Sequence, residues 1–154
     1  MGIFKQLACP FCTLDDARII LTNDHAIAIY DGFPISPSHR LIISKRHVAS
    51  FFEATREEQA ALLNLLAEMR ERLKSLPTSL SEREENDSPQ PPFDKAGSLS
   101  VPDGFNIGIN DGTAAGQTVM HLHIHLIPRY TDDTCEPRGG IRWIFPDMDI
   151  SGLS

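Results

Sequence analysis

Apolar residues along this chain recur with two periods, and the switches between them outline the fold. Residues 26–30 (AIAIY) read as a strand running into a turn at Asp31-Gly32, and Pro34 and Pro37 keep the following segment extended rather than helical. Residues 39–44 (HRLIIS) then read as a second strand. Thr55 followed three residues later by Glu58 makes a capping box, which starts a helix by satisfying backbone N–H groups that lack partners. Leu62, Leu66, Met69 and Leu73 recur at steps of four, three and four, so one helix face is apolar and belongs on the sheet. The helix is predicted to end near Leu76, where Pro77 stops it. From 78 to 102 the chain turns to Ser, Glu, Asp, Asn and Pro, which predicts a mobile polar loop rather than a domain boundary. Residues 105–110 and 120–127 alternate again, separated by a glycine-rich turn from Asp111-Gly112. The sum is a single α+β domain over 1–154, with an antiparallel sheet of about five strands, one long helix packed on a face, and no internal repeat.

Composition narrows the function. At 154 residues and 41% hydrophobic content the chain fills one ordinary core. The apolar runs around 19–21 and 41–43 fall far short of the ~20 residues that span a bilayer, and the amino terminus lacks the pattern of a secretory signal. A soluble, cytoplasmic protein with no membrane partner is expected. The three cysteines do not make a disulfide framework. A formal charge of −7 argues against nucleic acid as a partner, so any attraction for phosphate must be local. Arg40, Lys45 and Arg46 offer such a patch, although surface solvation is the commoner reason for one.

The densest chemistry lies in 116–130, GQTVMHLHIHLIPRY. On a strand His121, His123 and His125 share one face while Leu122, Ile124 and Leu126 share the other. Three histidines at a period of two opposite an unbroken apolar face differ from a solvated strand surface. They suit either a metal site or nucleophilic chemistry. A neutral imidazole attacks phosphorus near neutral pH, and the glycine-rich turn 112–116 can bring backbone N–H groups close to oxyanions.

The run HLHIHLI resembles the mark of the histidine-triad (HIT) family, His-φ-His-φ-His-φ-φ with φ apolar. GQTVM, GFNIGINDG, YDGFPISPSHRLIISKRH and PRGGIRWIFP resemble further family segments in the same order, the last being similar to the tail of bacterial members. The resemblance implies a HIT-like fold, a homodimer, and a nucleotide as small-molecule substrate, with no cofactor for catalysis. By it, His123 is the nucleophile at the α-phosphorus, and His125 and His39 contact the phosphate or leaving group and support proton transfer. Thr118 and Asn110 lie near the α-phosphate, and Gln117, beside Gly116, reaches the bridging or leaving oxygen. Asp31 accepts from ribose hydroxyls, and Ile29 lines the base. The implied reaction is hydrolysis through a nucleotidyl-histidine, first of dinucleoside polyphosphates such as diadenosine tetraphosphate. Nucleoside phosphoramidates come next, and then transfer to another phosphate. A non-catalytic nucleotide- or metal-binding protein is the alternative from another class.

Cys9 and Cys12 have a spacing suited to one tetrahedral zinc but supply only two of four ligands. The resemblance completes the set with His47 and His121, as a structural zinc outside the chemistry. Two ordinary thiols are the plainer reading, and Cys135 is expected to be free. The tail around Arg138, Gly139, Gly140, Arg142 and Trp143 is expected to border the leaving group.

Overall fold

The computed structural model describes residues 9–75 and 101–145. Five strands form one antiparallel sheet: β1 (Ile19–Thr22), β2 (Ala26–Tyr30), β3 (Arg40–Ser44), β4 (Gly104–Gly108) and β5 (His123–Arg129), in the order β1-β2-β3-β5-β4. Helix α1 (Arg56–Lys74) covers one face. The α+β architecture is as read from the sequence, with differences in detail.

Strand β1 was not anticipated. IILT has no alternation, and it is a strand because it pairs with β2 through a register irregularity between Ile19 and Leu21. Strand β3 starts at Arg40 rather than His39, β4 stops at Gly108, and β5 runs from His123 to Arg129. His121 thus stands before the strand, where the backbone already turns. Leu76, Pro77 and most of the polar stretch expected as a loop lie outside the described residues.

Thr55 caps α1 as its spacing predicts, accepting from the Glu58 N–H while the Glu58 carboxylate accepts from the Thr55 N–H. Leu62, Leu66, Met69 and Leu73 are buried, joined by Leu65. They meet Ala26, Ala28, Ile42, Leu122, Ile124 and Leu126 on the sheet. At the helix start the buried Glu58 forms a two-pronged ion pair with Arg46, 2.7 Å at each prong, and its carboxyl is held near pH 2 by that guanidinium and by the Thr55 N–H. This fastens the segment after β3, which carries His47, to the helix.

The opposite face carries Ile27, Ile29, Leu41 and Ile43, with Phe11, Leu14 and Ile19 packed against them. Register places Ile43 beside His123 and Leu41 beside His125, so both histidines continue this second apolar face. The helix fixes one side of the sheet and leaves the other for chemistry.

Candidate active site

Three of the four clustered imidazoles have one nitrogen committed to the backbone, which settles the role of the other. A carbonyl only accepts, so His123 Nδ1 donates to the His121 carbonyl at 2.7 Å and its Nε2 keeps a free lone pair. His121 Nε2 donates to the Ser44 carbonyl at 2.6 Å, which leaves its Nδ1 bare. His39 Nδ1 accepts from the Ile35 N–H at 3.4 Å, so its Nε2 carries hydrogen. That Nε2 lies 3.1 Å from His125 Nδ1 and 3.3 Å from Asp31 Oδ2. The His39 hydrogen is thus within reach of two acceptors, and donated to His125 it makes Nδ1 of that ring the acceptor.

Burial lowers the basicity of His39 to a pKa of about 4, against the opposing pull of Asp31, with His125 and Arg40 lowering it further. Burial, then His123, also pushes His125 down, and burial does the same to His121. The His39–His125 pair is neutral at pH 7. It can orient and hydrogen-bond an anion without carrying a spare proton.

The turn between β2 and β3 places His39. The Asp31 N–H donates to the His39 carbonyl, Asp31 Oδ1 accepts from the Phe33 N–H, and Ser38 adopts a left-handed φ of 64° next to His39. Asp31 was expected at the ribose; its other oxygen faces the two histidines. Ile29 lies on the same face, within the apolar cluster.

The glycine-rich loop is closed on itself more than its sequence suggests. Gly112 and Gly116 have φ of 89° and 85°, values that favour glycine. The Gly112, Ala115, Gly116 and Gln117 N–H groups all donate within the loop. Gln117 is buried, its amide spanning the Gly112 N–H and the Ala49 carbonyl at 2.8 and 2.9 Å. It braces the loop, and reaching a departing oxygen would require one of those bonds to break. Thr118 is exposed at the end of the loop, and the Asn110 amide lies against Gly116.

Cys9, Cys12, His47 and His121 come together with their ligand atoms within 4.8 Å of one another. Cys12 Sγ is 3.1 Å from His47 Nδ1 and 3.5 Å from His121 Nδ1, and Cys9 Sγ is 3.4 Å from His121 Nδ1. Desolvation, then the hydrogen bond and charge of Cys9, raise the Cys12 thiol above its ordinary range, a crowding that a cation relieves. Two sulfurs and two imidazoles at these spacings fit tetrahedral zinc. Phe11, between the cysteines, sets its ring edge-on to His121 at 5.7 Å and to His123 at 5.3 Å. Phe11 was not singled out by residue pattern; its place inside the Cys-x-x-Cys turn was the available signal.

The basic patch does not form as read. Arg40 is 5% exposed, its guanidinium 3.5 Å above the Tyr30 ring, with Nε and Nη1 lacking hydrogen-bond partners. It pairs with Leu126 across the sheet, which puts it on the helix side, and Arg46 is spent on Glu58. With β4, β5 and the 35–37 turn, the tail lines an open cavity of about 600 Å³, whose walls include Ile35, Pro37, Ile127, Arg129, Asp133 and Trp143. Ile127 follows His125 on the same strand face, and Ile141 sits 3.3 Å from where a Cβ on Gly108 would be.

A five-stranded antiparallel sheet with one helix on one face and histidines on the other defines an α+β protein whose chemistry lies on the face opposite the helix. The HIT domain model matches residues 14–132, and the chain belongs to this family. A HIT-like protein of Chlamydia pneumoniae is 32% identical over 82% of this chain and 92% of its own. A solved Zn-bound histidine triad family protein from Mycobacterium smegmatis is 27% identical, with a TM-score of 0.56 over 84% of this chain and 80% of its own. The AP-4-A phosphorylase of Mycobacterium tuberculosis is 24% identical over 80% of this chain and 52% of its own. No described helix is long and apolar enough to cross a membrane.

Proposed function

We propose that the protein hydrolyses a nucleotide at the α-phosphorus through a nucleotide covalently held on His123, with dinucleoside polyphosphates such as diadenosine tetraphosphate as substrate. The observation that carries this is the His123 ring: Nδ1–H is bound to the His121 carbonyl, and Nε2 is free on the face shared with His125. In the first step Nε2 bonds to the α-phosphorus and the phosphorus–oxygen bond to the leaving group breaks. In the second, water attacks the same phosphorus and loses its proton to solvent, and AMP is released as the phosphorus–nitrogen bond breaks and its electron pair returns to Nε2.

The neutral state of His39 and His125 supports a polyphosphate leaving group. ATP departs from diadenosine tetraphosphate as a stable anion needing only hydrogen bonds, whereas the amine of a phosphoramidate must be given a proton. Attack from His123 drives the leaving group past His125 toward Ile127, where the cavity under the tail receives it. Ile29 and its apolar neighbours hold the base, Asp31 the ribose, and Asn110 and Thr118 the α-phosphate. Zinc on Cys9, Cys12, His47 and His121 fixes the amino-terminal turn, and the chain assembles as a homodimer.

AMP release is followed with diadenosine tetraphosphate and, separately, adenosine phosphoramidate, and binding of AMP is measured on His123→Asn. Faster turnover of the polyphosphate and a dead variant that still binds AMP support the reading. Faster phosphoramidate turnover reverses the substrate order, and an active variant removes the covalent route. The phosphorylase among the relatives favours one further reading, with phosphate instead of water resolving the intermediate; added orthophosphate then converts the product from AMP to ADP.

A further inference from the structure

Beside the sulfur-containing cluster the chain builds a second set of metal-ligating atoms on the active face. His39 Nε2, His125 Nδ1 and Asp31 Oδ2 form a triangle with edges of 3.1, 3.3 and 3.8 Å. Donors of a four-coordinate zinc at ~2.1 Å stand about 3.4 Å apart, so one ion fits over this triangle with a coordination position left open. His39 is 3% exposed and the Asp31 side chain 11%, and the backbone holds both in place: the Asp31 N–H on the His39 carbonyl and the Phe33 N–H on Asp31 Oδ1. The ligands are thus set before an ion arrives. On its entry the hydrogen on His39 moves from Nε2 to Nδ1, the 3.4 Å bond from Ile35 is given up, and metal–ligand bonds replace the 3.1 Å contact to His125 and the 3.3 Å contact to Asp31.

We infer that Asp31, His39 and His125 form a second, sulfur-free divalent-cation site that takes zinc-like ions and shuts off the nucleotide site while occupied. Two imidazoles and one carboxylate favour Zn²⁺ and Co²⁺ over Mg²⁺, which prefers all-oxygen surroundings. Shut-off rests on the proposed nucleotide placement: a carboxylate clamped to an ion cannot accept from ribose, and His125 is fixed on the ion rather than the leaving group. By linkage, nucleotide must weaken the ion to the same degree that the ion weakens nucleotide.

The test is titration of the metal-stripped full chain with Co²⁺, followed by calorimetry and by visible and near-ultraviolet absorption. Two equivalents are expected, one with a thiolate-to-cobalt charge-transfer band and one with d–d bands only. Asp31→Ala should weaken the sulfur-free equivalent by at least about tenfold and leave the charge-transfer band unchanged. A Cys9→Ser and Cys12→Ser double variant should show the reverse. A single equivalent in the wild type, or a sulfur-free equivalent untouched by Asp31→Ala, overturns the site. Saturating AMP should weaken the sulfur-free ion alone; if it does not, the nucleotide placement fails while the cation site stands. Zn²⁺ beyond one equivalent should inhibit turnover competitively, with equimolar Mg²⁺ without effect.

Discussion

Replacing Glu58 by Gln removes one charge and little else, since the Gln oxygen still accepts from the Thr55 N–H that completes the capping box. What is lost is the paired bond to Arg46. The Glu58 carboxyl is displaced from its ordinary 4.5 to about 2, with the Arg46 hydrogen bond as the largest cause. At ~1.36 kcal/mol per pKa unit the full linkage approaches about 3.4 kcal/mol. Arg46 is half-exposed, and solvent screening reduces the expected loss to about 1–2 kcal/mol at pH 7. For a chain of this size that is a fall in Tm of about 3–6 °C. The sign follows from a depressed folded pKa: the stabilisation is complete above about 4.5 and disappears as pH falls through about 2. Denaturant unfolding of both proteins at pH 7, 5 and 3 reads the difference directly. A penalty that stays constant across those values would refute the charge argument and assign the effect to packing.

Three further outcomes follow from the same geometry. Leu65→Ala empties a fully buried position between α1 and the sheet and should cost about 2–5 kcal/mol, read by chemical unfolding, with AMP binding retained. Gly116→Ala forces a Cβ onto a φ of 85° and should cost about 1 kcal/mol in stability, with a larger loss of turnover if the loop shape holds Asn110 in place; equal turnover would separate the loop from catalysis. Burial lowers the His39 pKa to about 4, so its neutral form stabilises the fold above about 6.5, and that contribution drains away as pH falls toward 4. His39→Gln should flatten this part of the stability profile, measured by thermal unfolding from pH 7 to 4.

The parts of the fold legible in the sequence are those carried by local patterns. The capping box at Thr55, the apolar stripe through Leu73, and the alternation in β4 and β5 each report their own element. Strand β1 was hidden because its four residues have no pattern of their own and take their conformation from β2. The same division runs through the site. The triad motif points to a nucleophile, but the commitment of each ring nitrogen depends on carbonyls and N–H groups from Ser44, His121 and Ile35 that no spacing reveals. Arg40 illustrates the limit from the other side: beside Lys45 and Arg46 it looks like surface charge, yet strand alternation turns it inward over Tyr30. Gln117 looks free to meet substrate only until the loop closes around it.

In the proposed reaction His123 carries the nucleotide between two displacements. The most direct measurement mixes the protein with diadenosine tetraphosphate, quenches it at rising times without exposing the bond to acid, and maps any mass increase by peptide. A transient adduct of one AMP is expected on the peptide bearing His123 and absent from His123→Asn. AMP release with no adduct at any quench time, together with turnover by His123→Asn, would contradict it.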